Sequence, residues 1–154
     1  MAKLSDSAST DIDAPIDAVW KIVEHVAGWP AWQRTLGSLD ILETDGAGRA
    51  SLCAVEFDAK VTKIRMKLSC TYSAPALMSF ERTSGDLSDL SGSWSLEELA
   101  GGRTQATYQL DVNPGGVLNL VLNAERIGKL RATLVDVRPG ELKARAEATG
   151  QPDG

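Results

Sequence analysis

The stretch that decides the fold is KIRMKLSCTY, residues 63–72. Apolar side chains stand at every second position from Ile64 to Tyr72, and the basic residues Lys63, Arg65 and Lys67 alternate with the first of them. A period of two is typical of a strand with one buried face and one face in water. This stretch therefore predicts one strand of an antiparallel sheet that covers a core.

The residues before it, 53–58, alternate in the same way. A tight turn near residues 60 and 61 would set Glu56 and Asp58 opposite Arg65 and Lys63. Cross-strand pairs of opposite charge stabilise such a register by ~0.2–1 kcal/mol each. These charges are therefore predicted to form a solvated outer face, not a catalytic pair of carboxylates.

The period of two continues from residue 37 to residue 113, interrupted by turn sequences at 45–48, 59–62, 73–75, 84–86 and 100–102. Connections of this length join antiparallel neighbours, so an antiparallel meander is predicted. The same parity turns a set of side chains of the later strands inward: Met78, Phe80, Arg82, Leu90, Gly92, Trp94, Leu96, Ala106, Tyr108, Leu110 and Val112.

Helical patterns flank the meander on both sides. After an extended segment at residues 4–12, the apolar spacing predicts an amphipathic helix from Ile16 that Gly28 ends, and Pro30 opens a second, very short helix. A long helix is predicted from about residue 117 to 137. The sequence Arg138-Pro139-Gly140 should kink or break it, and residues 141–148 resume as a last helical piece with Leu142 inward.

Composition fits one soluble domain at residues 1–148 with a disordered tail at 149–154. The chain has 154 residues, 43% of them hydrophobic, a formal net charge of −5 and a pI near 4.9. The negative charge disfavours binding to nucleic acid or anionic membranes. No apolar run reaches the ~18–20 residues that span a bilayer, so integral membrane association is excluded. The N-terminus lacks the apolar core of a signal peptide, so a cytoplasmic location is expected.

These elements predict an α+β fold in which a curved antiparallel sheet of six to seven strands wraps around the long C-terminal helix. Two short helices follow the first strand. A strongly curved sheet need not close tightly on a helix, which allows a ligand cavity of ~300–1,000 Å³ with mostly apolar walls.

Two groups of residues carry a family resemblance. The opening Ile12-x-Ala14-Pro15-x-x-x-Val19-Trp20 with Trp29-Pro30-x-Trp32, and the later Gly92-Ser93-Trp94-Ser95-Leu96 with Gly101-Gly102-Arg103-Thr104-x-Ala106-Thr107-Tyr108, resemble the START-like, or helix-grip, superfamily. Within it the chain is most similar to the polyketide cyclase/dehydrase and lipid-transport family. The closing residues 142–147 are similar to the C-terminal helix of that family. The resemblance implies a hydrophobic cavity for lipids, polyketides or isoprenoid-like molecules, and it does not imply an enzyme.

Candidate catalytic groups are few. His25, the only histidine, is expected to be exposed or to cap a helix, and a lone histidine without clustered ligands predicts no metal site. Cys53 and Cys70 are expected to be buried reduced thiols, and no cofactor is expected. Weak catalytic candidates are Arg82, Tyr72 and Tyr108.

Three hypotheses for function remain open. The first is binding or transport of a hydrophobic small molecule. The second is a polyketide cyclase or dehydratase in which Arg82 polarises a carbonyl and a tyrosine moves a proton. The third is a protein-interaction module with exposed Trp29 and Trp32 and no ligand. The predicted ligand-binding residues are Phe57, Met66, Leu68, Cys70, Tyr72, Met78, Phe80, Arg82, Trp94, Tyr108, Leu120, Asn123 and Ile127.

Overall fold

The computed structural model describes residues 4–58, 63–87, 89–113 and 135–150. Its strands are β1 (Leu4–Ile12), β2 (Leu36–Thr44), β3 (Ala50–Asp58), β4 (Lys63–Ser73), β5 (Leu77–Gly85), β6 (Asp89–Leu99) and β7 (Arg103–Asn113). Its helices are α1 (Ile16–Glu24), a 3₁₀ helix (Val26–Ala31) and α2 (Arg138–Gly150).

The seven strands form one curved antiparallel sheet in the order β1-β7-β6-β5-β4-β3-β2. Strands β2 to β7 are a meander, and β1 closes the order by pairing with β7, with Ala8 opposite Tyr108. The predicted α+β helix-grip fold is confirmed. Since α1 and the 3₁₀ helix lie between β1 and β2 in the chain, they bridge the two edge strands.

The sheet register predicted from the charges is confirmed. Glu56 lies opposite Arg65, and Asp58 lies opposite Lys63. The Nε atom of Arg65 donates to Glu56 Oε1 at 2.6 Å, and the Arg65 side chain is 77% exposed. An exposed pair of this kind contributes ~0–1 kcal/mol, so its main effect is to fix the register of an outer face.

Helix α1 follows the prediction at its start and departs from it at its end. Pro15 precedes its first turn, and Val19 and Val23 are fully buried. His25, not Gly28, terminates α1, because its ψ of 73° leaves the helical region. Gly28 instead lies inside the 3₁₀ helix, which begins four residues before Pro30, so the predicted boundary here is wrong.

The C-terminal helix α2 begins at Arg138, within the sequence where a kink or break is predicted. Residues 135 and 136 form a wide helical turn, residue 137 is a turn, and α2 starts at Arg138. Pro139 thus stands in the first turn, where its missing N–H breaks no hydrogen bond. Leu142 is fully buried as predicted. Helix α2 continues to Gly150, two residues past the predicted end. Of the long helix expected at 117–137, residues 117–134 lie outside the part of the chain that the structure describes.

The core lies between the inner face of the sheet and the helices. Thr104 on β7 donates from its hydroxyl to the carbonyl of Ala14 at 2.8 Å and fixes the turn between β1 and α1. Lys143 on α2 donates to the carbonyl of Asp11 at 3.0 Å. No helix in the described ranges has the length and apolar character needed to cross a bilayer.

Candidate functional site

The inner face of the sheet is built from side chains that the register places side by side. One row crosses five strands in the order Tyr72, Met78, Trp94, Tyr108 and Ala8. In the next row Cys70 lies opposite Phe80 and Phe80 lies opposite Gly92. Paired residues of antiparallel strands point to the same face, so these rows form one wall.

Five aromatic rings cluster on this wall; we call Trp29, Trp32, Phe80, Trp94 and Tyr108 the aromatic cluster. Trp94 and Tyr108 are 4.7 Å apart between ring centroids, and Trp32 lies 6.0 Å from Trp94. Trp29 lies 6.0 Å from Phe80, which stacks on Tyr108 at 6.3 Å. All five are buried. The hypothesis of a protein-binding surface with exposed Trp29 and Trp32 therefore loses its basis, since both rings pack against the wall.

A buried arginine lies against this cluster. Arg138, at the start of α2, is 1% exposed, and its Cζ lies 5.9 Å from the centroid of the Tyr108 ring. Its Nη1 donates to Glu141 Oε1 at 2.7 Å, and its Nη2 donates to Thr35 Oγ1 at 2.7 Å. The other carboxylate oxygen of Glu141 accepts the backbone N–H of Arg34 at 2.9 Å. A buried cation needs such a partner, and here Glu141 balances its charge.

The sequence prediction missed Arg138 as a site residue and assigned it only to a helix break. The available signal was an arginine three residues before Glu141, the spacing at which two side chains meet on a helix. That spacing is common on exposed helices. Only the fold turns this end of α2 toward Tyr108.

Both tyrosines of the chain keep their protons at neutral pH. Burial raises the pKa of Tyr108, and the charge of Arg138 beside it opposes that effect. Burial also raises the pKa of Tyr72, whose hydroxyl donates to the carbonyl of Ala50 at 2.6 Å. The ring of Tyr72 is held between Trp20, edge-on at 6.4 Å, and the guanidinium of Arg49 at 4.6 Å. Tyr72 is thus committed to the backbone, whereas Tyr108 lies within the aromatic cluster.

Arg82 faces inward by register, opposite Leu68, and is half-buried. Its Nη2 donates to the carbonyl of Gly85 at 3.1 Å, which ties it to the end of β5. Its buried Nε has no acceptor among the described residues.

Most of the predicted ligand-binding residues lie on the inner face. Buried there are Met66, Leu68, Cys70, Met78, Phe80, Trp94 and Tyr108. Half-buried are Phe57, Tyr72 and Arg82. Leu120, Asn123 and Ile127 lie outside the described residues. Whether any of these residues contacts a ligand stays a prediction.

The nucleophile and metal candidates offer little chemistry. Cys53 and Cys70 are buried free thiols, and their mutual hydrogen bond together with burial raises the pKa of Cys70. His25 is exposed. Within the ranges that the structure describes, no group of three or more histidine, cysteine or acidic side chains is placed to hold a metal ion.

A groove of about 850 Å³ opens beside the buried arginine, between the 3₁₀ helix and α2. Trp32 and Thr35 line one side, and Glu141 and the exposed Val137 line the other. Thr35 and Glu141 are the two side-chain partners of Arg138, so the groove runs from solvent to the polar edge of the aromatic cluster.

Residues 12–135 match the family model described as polyketide cyclase / dehydrase and lipid transport. The chain belongs to this family. The match covers most of the sequence, including strands β2 to β7 and, of β1, only its last residue, Ile12. Membership therefore rests on the sheet that carries the aromatic cluster as well as on α1 and the 3₁₀ helix.

Several solved structures share this fold. A START superfamily protein from Mycobacterium smegmatis is 18% identical, with a TM-score of 0.80 over 96% of this chain and 98% of its own. A protein from Thermus thermophilus is 19% identical, with a TM-score of 0.83 over 96% and 100%. The Zhui aromatase/cyclase from a Streptomyces species is 18% identical, with a TM-score of 0.78 over 99% of both chains. No curated protein sequence matches the chain. At these identities the structures establish the fold alone.

Proposed function

We propose that this family member binds and carries an apolar small molecule of lipid, polyketide or isoprenoid type between the inner face of the sheet and the helices that cover it. The observation that carries the proposal is the aromatic cluster with its flanking aliphatic residues on the inner face. Such a wall removes apolar surface from water at about 25 cal/mol per Å². Membership of a family that includes lipid transport supports the same conclusion.

The ionisable groups of the described inner face favour binding over proton-transfer chemistry. A general base must be deprotonated at the working pH. The pKa of Tyr108 and that of Tyr72 are both raised, so each phenol holds its proton. Glu141 is engaged by Arg138 and Arg34. The site therefore offers a charged hydrogen-bond donor, Arg138, and a neutral one, the protonated phenol of Tyr108. Such donors suit recognition of a ligand.

Native purification followed by denaturation and mass spectrometry tests this proposal. We expect an apolar compound to be released from the purified protein. We also expect hexadecanoate or a quinone to raise the melting temperature, because a ligand at 100 times its Kd stabilises the folded state by about 2.7 kcal/mol. Acetate, which lacks an apolar chain, is the matched control and should have no effect. No released compound and no shift with any of a broad set of apolar molecules would refute binding.

A polyketide cyclase is the second candidate, favoured by the protonated hydroxyl of Tyr108 beside Arg138. A phenol in that state is able to donate a hydrogen bond to a ketone and to polarise it. On this hypothesis Tyr108→Phe abolishes turnover of a poly-β-keto substrate, whereas Tyr72→Phe, whose hydroxyl serves the backbone, retains it. Equal turnover by Tyr108→Phe and the unchanged protein would remove this mechanism.

A further inference from the structure

We propose that the ligand presents a carbonyl oxygen to three buried N–H donors, Gln33 Nε2, Trp94 Nε1 and Arg138 Nε, and that this carbonyl subsite prefers a neutral ketone to a carboxylate. The inference rests on the proposed function, because it assumes that an apolar molecule reaches the inner face. It adds the chemistry of the group that orients this molecule.

The first support is that all three donors are buried and lack an acceptor. Gln33 is 3% exposed, Trp94 is 0% exposed and Arg138 is 1% exposed. None of the three nitrogen atoms has a hydrogen-bond partner among the described residues. Folded proteins satisfy the large majority of buried polar side-chain atoms, and leaving one unsatisfied costs about 1–3 kcal/mol. Three such atoms together therefore call for an acceptor that the described residues do not supply.

The second support is that contacts of Trp94, of Arg138 and of the chain neighbours of Gln33 place the three donors in one region. Trp94 lies 4.7 Å from Tyr108, and the guanidinium of Arg138 lies 5.9 Å from the same ring. Arg138 donates to Thr35, which is two residues after Gln33. Trp32, the residue before Gln33, lies 6.0 Å from Trp94. Trp94 and Arg138 thus both lie against Tyr108, and Gln33 lies in the chain between Trp32, which packs on Trp94, and Thr35, which binds Arg138.

The third support concerns charge. Arg138 is already neutralised by Glu141 at 2.7 Å, and the other two donors are an amide and an indole. A carboxylate placed here would add a buried negative charge that no free cation of this cluster balances, which is costly. A ketone oxygen has two lone pairs, accepts two of these N–H groups and brings no charge.

The groove between the 3₁₀ helix and α2 lies beside this region. Its volume of about 850 Å³ lies within the usual range for ligand sites. Trp32, Thr35 and Glu141 line it, and these residues contact Trp94 and Arg138 directly. A ketone in the groove therefore lies against residues that are one contact away from Trp94 and Arg138.

Three probes with one ring skeleton test the proposal by calorimetry: 2-acetylnaphthalene, 2-ethylnaphthalene and 2-naphthoate. We expect the ketone to bind about tenfold more tightly than the hydrocarbon, because its carbonyl oxygen accepts hydrogen bonds from N–H donors that otherwise have no acceptor. We expect the carboxylate to bind no more tightly than the hydrocarbon. Equal binding of ketone and hydrocarbon overturns the carbonyl subsite and leaves the proposed function standing. Binding of none of the three overturns the carbonyl subsite, and the proposed function falls with it only if the broad set of apolar molecules also fails to bind. Tighter binding of the carboxylate overturns the preference for a neutral group.

Gln33→Met removes one donor at nearly constant volume. It should weaken the ketone about threefold and leave the hydrocarbon unchanged, whereas a purely structural role of Gln33 would weaken both equally and refute the assignment. Gln109→Met makes the same change on the exposed outer face of β7 and should behave as the unchanged protein. Trp94→Phe removes the indole donor and keeps an aromatic ring. If Gln33→Met does not fold, the same comparison of ketone and hydrocarbon binding is made with Trp94→Phe.

Discussion

At the scale of single residues, Gly92 shapes the aromatic cluster because it has no side chain. A Cβ at this position would lie 2.4 Å from Phe80 Cζ and 2.8 Å from the carbonyl oxygen of Gln109. The ring of Phe80 therefore occupies the space that a side chain on β6 would take. This close approach lets Phe80 stack on Tyr108 and keeps the inner face continuous.

Gly92→Ala should destabilise the protein by about 1–3 kcal/mol, since one added methyl group in a packed core forces strain. Urea unfolding followed by circular dichroism measures the change. Gly46→Ala is the matched control, because a Cβ there meets nothing within 4 Å, and it should have little effect. If the two variants unfold at the same urea concentration, the packing of Phe80 on Gly92 does not matter for stability.

Arg138 is the second decisive residue, and its partner Glu141 allows a direct test. Arg138→Met should cost about 3 kcal/mol, because it leaves a largely buried carboxylate without its cation. The double variant Arg138→Met/Glu141→Gln should be destabilised by less than the sum of its single changes, with a coupling of about 1–3 kcal/mol. A double-mutant cycle by urea unfolding measures that coupling. Additive effects would mean that the ion pair contributes nothing beyond the separate side chains.

At the scale of elements, the sheet was predictable from local patterns. Alternation in KIRMKLSCTY and its neighbours defines strands without reference to the rest of the chain, and opposite charges at Glu56 and Arg65 set their register. The 3₁₀ helix was not predictable in its bounds. Its path depends on where Trp29 packs: the indole N–H donates to the carbonyl of Val23 at 3.0 Å and its ring meets Phe80. These contacts are tertiary and leave no periodic trace in the sequence.

The candidate site was predictable in part for the same reason. Strand parity places Met78, Trp94 and Tyr108 inward, and the structure agrees. Parity gives no information about Gln33 and Arg138, which come from a loop and from the start of a helix. Their burial follows from how α2 packs on the sheet, which no short stretch of sequence encodes.

The contact between α2 and the end of β1 is an element-scale feature with a pH dependence. Glu147 accepts from Lys143 Nζ at 2.5 Å and from the backbone N–H of Asp13 at 3.0 Å. These two hydrogen bonds hold the pKa of Glu147 below its ordinary value of 4.5, and the bond to Lys143 has the larger effect. A depressed carboxyl pKa contributes stability above the unfolded pKa, and this contribution is lost as the pH falls through the folded value.

Glu147→Gln should therefore lower the urea midpoint at pH 7, and its difference from the unchanged protein should shrink as the pH falls below about 4.5. Unfolding curves at pH 7, 5, 4 and 3 measure that difference. Glu97→Gln, on the exposed side of β6, is the matched control. A gap between the unchanged protein and Glu147→Gln that stays constant down to pH 3 would show that the carboxylate does not anchor α2.

At the scale of the whole molecule, the described parts share one core. The same buried surface takes side chains from the sheet, α1, the 3₁₀ helix and α2. Three of the four tryptophans belong to the aromatic cluster, and the fourth, Trp20, packs on Tyr72 at the inner face. Tryptophan fluorescence therefore reports on the inner face, whereas far-ultraviolet circular dichroism reports on backbone structure throughout the chain.

Because one core serves all described elements, we expect the chain to unfold as a single unit. Fluorescence and circular dichroism should give the same urea midpoint and the same slope, as two-state domains of this size do. An apolar ligand should move both transitions together, since it binds only the folded state. Separate midpoints would indicate that the aromatic cluster melts apart from the sheet, and then the inner face would not be a preformed wall. A ligand that shifts only the fluorescence transition would place its binding in that separable part alone.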